Sequence, residues 1–142
     1  MRFGIVLLAG LMTVGMGEPA ARYGIAPDLK TFPQATAKEA LASVLKAVEA
    51  KRFDYLVAQL ADPEFVDDRV KRLYAGKFEP QVEETRARLD APAVEQLKRF
   101  LQDGEWTDDK TRVTVRLKDV SDQCINLRQR DGRWFLENRS KP

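Results

Sequence analysis

The chain has 142 residues, with 24 Lys and Arg against 22 Asp and Glu for a formal net charge of +2, a single cysteine and no histidine. That balance gives no global attraction to nucleic acid, so no nucleic-acid partner is expected. Without His there are no Ser-His-Asp or Cys-His nucleophile pairs and no His-containing metal site; with one Cys there is no intramolecular disulfide and no thiolate metal site. What remains for chemistry is Asp, Glu, Tyr, Lys and Arg, and neither a metal nor a cofactor is expected.

Met1-Arg2 opens the chain, and an uncharged apolar run follows from Phe3 to Met16, with small residues at Gly15 and Gly17. One basic residue, a short apolar stretch and a small-x-small pair predict a signal peptide over residues 1–17 and an exported protein, periplasmic, envelope-bound or secreted. As a helix the run spans roughly 21 Å against a hydrocarbon core of ~30 Å, so a retained anchor is the weaker reading and no stable membrane span is expected after cleavage. No Cys follows the run, which excludes a lipoprotein anchor. The remaining chain, about 125 residues, is the size of one domain that buries about two-thirds of its unfolded surface.

Residues 18–34 carry Pro19, Pro27 and Pro33 without periodicity and read as an extended lead-in, with Tyr23, Ile25 and Phe32 laid against the domain of residues 35–142. Thr36-Ala-Lys-Glu39 is a capping-box pattern. Ala40, Leu41, Val44, Leu45 and Val48 follow at helical spacing and predict a first amphipathic helix to about Ala50. Asp54 is expected to cap a short second helix, Tyr55 to Leu60, which Asp62-Pro63 ends. Phe65 to Tyr74 reads as helix with Val66, Val70 and Leu73 inward, closed by Gly76. Glu79-Pro80 starts another, with Val82, Thr85, Arg86 and Leu89 as a thin stripe. Asp90 caps a last helix in which Val94, Leu97 and Leu101 face inward, and Gly104 ends it.

Strand signals then take over. Glu105-Trp-Thr107 reads as a short strand before an Asp108-Asp109 turn, and Thr111 to Leu117 alternates, with Val113, Val115 and Leu117 on one face. Asp131-Gly132 suits a type I′ turn, in which both central residues take φ > 0. The turn sets a register in which Gln129 faces Trp134, Leu127 faces Leu136 and Ile125 faces Asn138. Ile125, Leu127, Trp134 and Leu136 then share one face, which the first helix must cover. Helices first and antiparallel strands last make an α+β fold, N-terminal helices packed on a C-terminal antiparallel curved sheet, cone-like. Cys124 reads as a buried structural thiol, with an intermolecular bridge or a reactive thiol as alternatives.

Two segments, Ala37-Lys-Glu-Ala-Leu-Ala-Ser-Val-Leu-Lys-Ala-Val-Glu-Ala-Lys-Arg-Phe-Asp54 and Asp131-Gly-Arg-Trp-Phe-Leu-Glu-Asn138, carry a resemblance over residues 35 to 139. The first resembles the opening helix, and the second the final hairpin, of the ketosteroid-isomerase and nuclear-transport-factor-2-like (cystatin-like cone) superfamily. Within it, the chain resembles small exported bacterial members. The resemblance implies a curved sheet wrapped against helices, often with an apolar pocket, and often a homodimer through the outer sheet face. Enzymes of that superfamily commonly place Asp, Tyr or His in the pocket. This chain has no His and reads as helix between Phe78 and Asp103, where many relatives have strand.

An isomerase-like site needs a carboxylate base and a phenol or acid in a pocket that excludes water. Asp54, Tyr55 and Tyr74 are the candidates, against structural roles as a helix cap and half-buried aromatics. Asp62-Pro-Glu-Phe-Val-Asp-Asp68 is acidic but lacks the spacing and turn Gly of a calcium loop. If the strand of Thr111 to Leu117 neighbours the closing hairpin with matched faces, Arg112 and Arg116 join Arg128, Arg130, Arg133 and Phe135 on the sheet face away from the helices. That face reads as a solvated basic surface, a dimer interface or a site for an anionic ligand. The expected function is an exported, non-enzymatic binding or scaffold domain; the alternative is a small-molecule lyase or isomerase of the cone superfamily using Asp and Tyr.

Overall fold

The computed structural model describes residues 19–137, so the predicted leader and Asn138 lie outside the described residues. The lead-in begins with a tight turn at Tyr23 and Gly24, both at positive φ (52° and 78°), across which Arg22 and Ile25 exchange backbone hydrogen bonds of 3.0 and 2.8 Å. Further on, Phe32 is buried and its ring stacks on Tyr55 at 4.4 Å.

Helix α1 (Ala37–Glu49) starts where the capping box places it. The Thr36 hydroxyl accepts the Glu39 amide at 3.1 Å, while the Glu39 carboxylate reaches one residue further back than expected, to the Ala35 amide at 3.0 Å. A short α2 (Phe53–Tyr55) runs directly into a π-helix, Leu56–Leu60, all of whose side chains are buried. Asp54 is not its cap: Arg52 holds that position without a side-chain bond, and Asp54 accepts the amide of its own neighbour Tyr55 at 2.8 Å. Helix α3 (Pro63–Tyr74) buries Val66 and Val70, but Leu73, expected inward, is 51% exposed. Its end carries Ala75 and Gly76 at φ 52° and 85°, with the Gly76 amide returned to the Val70 carbonyl at 2.9 Å.

Helix α4 (Glu79–Arg88) buries Val82 and leaves Arg86 on the outside, where its guanidinium lies 5.3 Å over the Phe53 ring. Asp90 caps α5 (Ala91–Asp103) by accepting the Ala93 amide at 3.1 Å. The buried residue of α5 is Phe100, with Leu97 and Leu101 half-buried beside it. Gly104 then ends the helix where a side chain has no room: a Cβ there would lie 2.3 Å from both the Phe100 carbonyl oxygen and Val115 Cγ1.

The strands β1 (Glu105–Asp109), β2 (Arg112–Leu117), β3 (Val120–Arg130) and β4 (Arg133–Glu137) form an antiparallel sheet in sequential order. Asp108 and Asp109 belong to β1, and the turn falls instead at Lys110-Thr111, with Lys110 at φ 51°. The last hairpin has the expected register, Gln129 opposite Trp134 and Leu127 opposite Leu136, and Asp131 and Gly132 take φ 50° and 79°.

Helix α1 serves two cores. Its first half puts Ala37, Ala40 and Leu41 with Phe100, Val113, Val115, Leu127 and Trp134, between α1, α5 and the sheet. Its second half puts Val44, Ala47 and Val48 with Phe32, Phe53, Tyr55, Leu56, Leu60 and Val66 among the helices. Each fully buried Val, Leu or Phe among them contributes about 1.5–3 kcal/mol by leaving water. The result is an α+β fold with helices packed on one face of an antiparallel sheet. Among the described residues no helix is long and apolar enough to cross a membrane.

Candidate ligand-binding site

The π-helix, α3 and α4 do not close completely on one another. They enclose a cavity of about 150 Å³ whose apolar wall is Leu56, Val57, Ala61, Phe65, Val66, Leu89 and Leu136. On α4, Gln81, Glu84, Thr85 and Arg88 recur at helical spacing and turn one polar stripe toward the mouth, opposite Arg69 of α3. Three of the four residues of the expected α4 stripe, Val82, Thr85 and Leu89, face the interior, and Arg86 does not.

The polar rim is wired together. Arg69 Nη2 donates to both Glu84 oxygens (2.7 and 2.6 Å) and Nε donates to Gln81 Oε1 at 3.0 Å. The Tyr74 hydroxyl donates to Glu84, and Arg88 lies 3.4 Å from the same carboxylate. The Tyr74 bond, helped by Arg69 and Arg88, holds the Glu84 carboxyl below its ordinary range despite the opposing effect of burial. The same bond, with burial added, pushes the Tyr74 phenol up. Two guanidinium groups share one carboxylate, so the mouth carries net positive charge. Neither Arg69 nor Glu84 was among the residues singled out from the sequence; their helical positions read there as an ordinary polar face.

Asp54 and Tyr55 do not converge. Asp54 is half-exposed and pairs with Arg52 at 3.1 Å. Tyr55 is 1% exposed rather than half-buried, and its hydroxyl oxygen accepts the Asp28 amide at 2.8 Å instead of reaching the surface. Tyr74 alone of the three meets an acid, and that acid is Glu84.

All six residues expected on the outer sheet face are on it. Arg112, Arg128 and Phe135 form one cross-strand row, Arg130 faces Arg133, and Arg116 faces Cys124. The face is not a simple solvated surface, however. Cys124, Asn126, Phe135 and Glu137, which share it, are all buried. Arg112 and Arg128 converge on Glu137 at 3.0 and 3.6 Å, and Arg130 pairs with Asp62 at 2.6 Å and Glu64 at 3.3 Å. The Arg133 guanidinium lies 4.9 Å over the Phe135 ring and donates to Gln34 and Gln59.

The acidic segment 62–68 is dispersed in the same way. Asp62 and Glu64 serve Arg130, Asp67 serves Arg22 and Tyr23, and Asp68 serves Arg72. Among the described residues no group of three or more His, Cys, Asp or Glu is placed to hold a metal ion. Compared with known proteins, the chain matches no family model, no curated protein and no solved structure.

Proposed function

We propose that this chain is a binding domain that takes a compact apolar molecule into the cavity between the π-helix, α3 and α4. The observation that carries this reading is the pairing of an apolar wall with a polar rim whose hydrogen bonds are already made. A dry apolar cavity of about this size, 150 Å³, holds a benzene-sized molecule. Arg69, Glu84 and Tyr74 hold one another in place, so they frame the entrance without needing the ligand to complete them. The Gln81 amide nitrogen, whose contact with Thr85 Oγ1 is long at 3.5 Å, is the group best placed to take a ligand's acceptor.

The same rim argues against the acid–base alternative. A general base works best with a pKa near the working pH. Glu84 is pushed the other way, and its phenol partner is pushed up rather than toward a transferable proton. The order of elements supports kinship with the ketosteroid-isomerase and nuclear-transport-factor-2-like superfamily, and the apolar run after Arg2 supports export.

Titration of the protein with indole or toluene, followed by thermal unfolding and amide NMR, tests the proposal. We expect saturable shifts at Leu56, Val57, Phe65 and Thr85, and a stability gain of about 2.7 kcal/mol at a hundredfold excess over Kd. Ala61→Leu, which fills the cavity from its wall, should abolish the shifts while the protein stays folded. Saturable binding that Ala61→Leu leaves unchanged, or no saturable binding of either probe, rejects the cavity as the site.

A further inference from the structure

We propose that Arg133 anchors the carboxylate of a small organic acid at a second site, in the pocket between the β3–β4 turn and the lead-in. Its guanidinium differs from those of Arg112, Arg128 and Arg130 in having no acidic partner. Nη2 donates to Gln34 Oε1 at 2.6 Å, to the Gln59 carbonyl at 3.2 Å and to Gln59 Oε1 at 3.1 Å, all of them neutral oxygens. Nε is buried without a hydrogen-bond partner, and no carboxylate lies within ion-pairing distance among the described residues.

Withdrawing a cation from water without a counter-charge is costly, and amide dipoles offset only part of that cost. Burial accordingly pulls the guanidinium below its ordinary pKa; Tyr55 acts in the opposite sense, and a second cation, Arg22, adds to the lowering. An anion arriving from solvent supplies what the fold omits.

A place for one exists. Arg133 and Gln34 line a pocket of about 170 Å³ with Leu29, Pro33, Ala35 and Gly132. Leu29 is one of the few large apolar side chains left 41% exposed, and it stands on the wall of this pocket. At Gly132 nothing lies within 4 Å of where a Cβ would be, so the turn leaves the approach open. With Nη2 held by Gln34 and Gln59 and Nε buried, Nη1 is the guanidinium nitrogen that makes no hydrogen bond among the described residues, and a charge-assisted bond from it to a carboxylate oxygen is short and strong. The apolar wall of Leu29, Pro33 and Ala35 suits a short hydrocarbon attached to that carboxylate better than a bare phosphate.

The test is an NMR titration of the labelled full chain with isovalerate, acetate and inorganic phosphate, each against chloride at matched ionic strength. We expect saturable shifts confined to residues 29–35, the Gly132 amide and the Arg133 side chain, with isovalerate tighter than acetate and phosphate the weakest. Arg133→Met should weaken isovalerate about tenfold or more, and Arg133→Lys by less, because the charge stays while the planar group braced by Gln34 and Gln59 is lost. Arg116→Met removes an equal charge from an exposed position and should leave the affinity within about twofold. Shifts that rise linearly without saturating, equal losses in the Arg116 and Arg133 variants, or phosphate binding as tightly as isovalerate would each overturn the assignment. Should Arg133→Met not fold, the wild-type shift map decides alone: shifts outside this pocket, or none, reject it.

Discussion

Gln34 pairs with Trp134 as a neighbouring strand would: its carbonyl accepts the Trp134 amide at 2.9 Å, and its side-chain amide donates to the Trp134 carbonyl at 2.8 Å. The Asp62 amide does the same for the Leu136 carbonyl at 2.8 Å. Together they close the outer edge of β4 without adding a strand, and an edge so covered is not available for pairing with another chain.

Gln34→Ala should therefore destabilise the protein by about 1–3 kcal/mol, because it leaves the buried Trp134 carbonyl without a partner and takes a donor from the Gln59 carbonyl. Urea unfolding followed by tryptophan fluorescence measures it. The midpoint should fall with the slope unchanged; an unaltered midpoint would mean that water replaces the side chain at no cost.

Two glycines separate room from backbone conformation. Gly104→Ala drives a methyl to 2.3 Å from the Phe100 carbonyl and Val115 and should cost about 2 kcal/mol or more. Gly132→Ala meets open space, and its cost should be the positive φ alone, about 1 kcal/mol. If the two losses are equal, α5 and β2 are not held as closely as their contact implies.

The phenols give a pH signature. Burial, joined by the hydrogen bond to Asp67, pushes Tyr23 up to about 12, and Tyr55 and Tyr74 are raised as well. A group whose folded pKa is raised contributes stability that is fully present below its unfolded pKa, near 10, and is lost as pH rises through the folded value. Ultraviolet titration of the folded protein should show no tyrosinate step near pH 10, whereas the urea-unfolded chain should titrate there. Asp67→Asn should move the Tyr23 step downward.

Tyr55→Phe isolates a structural role. It removes the oxygen that accepts the Asp28 amide but keeps the stack on Phe32, so a loss of about 0.5–1.5 kcal/mol is expected in thermal unfolding. Indole binding at the cavity should be unaffected. A large change in binding with unchanged stability would return Tyr55 to the list of functional residues.

Local chemistry made much of this fold legible. Thr36 and Asp90 announced helix starts, Gly104 an end, and Asp131-Gly132 a turn that fixes which strand residues share a face. That register, with β2 taken as the neighbour of β3, puts the six residues Arg112, Arg116, Arg128, Arg130, Arg133 and Phe135 on one face. The parts that stayed hidden depend on what lies across from a residue. Helical spacing favours Leu97 and Leu101 over Phe100, yet Phe100 is the one fully buried in the cluster that holds Val115. The π-helix has no composition of its own, because Leu56–Leu60 would satisfy an α-helix equally well. The cavity was least legible: Arg69, Gln81 and Glu84 read as solvent-facing until α3 and α4 are placed side by side.

The bond between Gln34 and Trp134 joins positions 100 residues apart, and Arg133 to Gln34 spans 99. Contacts of such separation are slow to form, since the intervening chain must be ordered or looped out first. The lead-in can therefore meet α2, the π-helix and α3 early, through Tyr55, Gln59 and Asp67, but its bonds to β4 wait until the final strand has emerged. A fragment ending before Arg133 would hold the five α-helices, the π-helix and three strands, while Gln34 would lack its bonds to Trp134 and Gln59 Oε1 its bond from Arg133. In this chain the beginning is finished by the end.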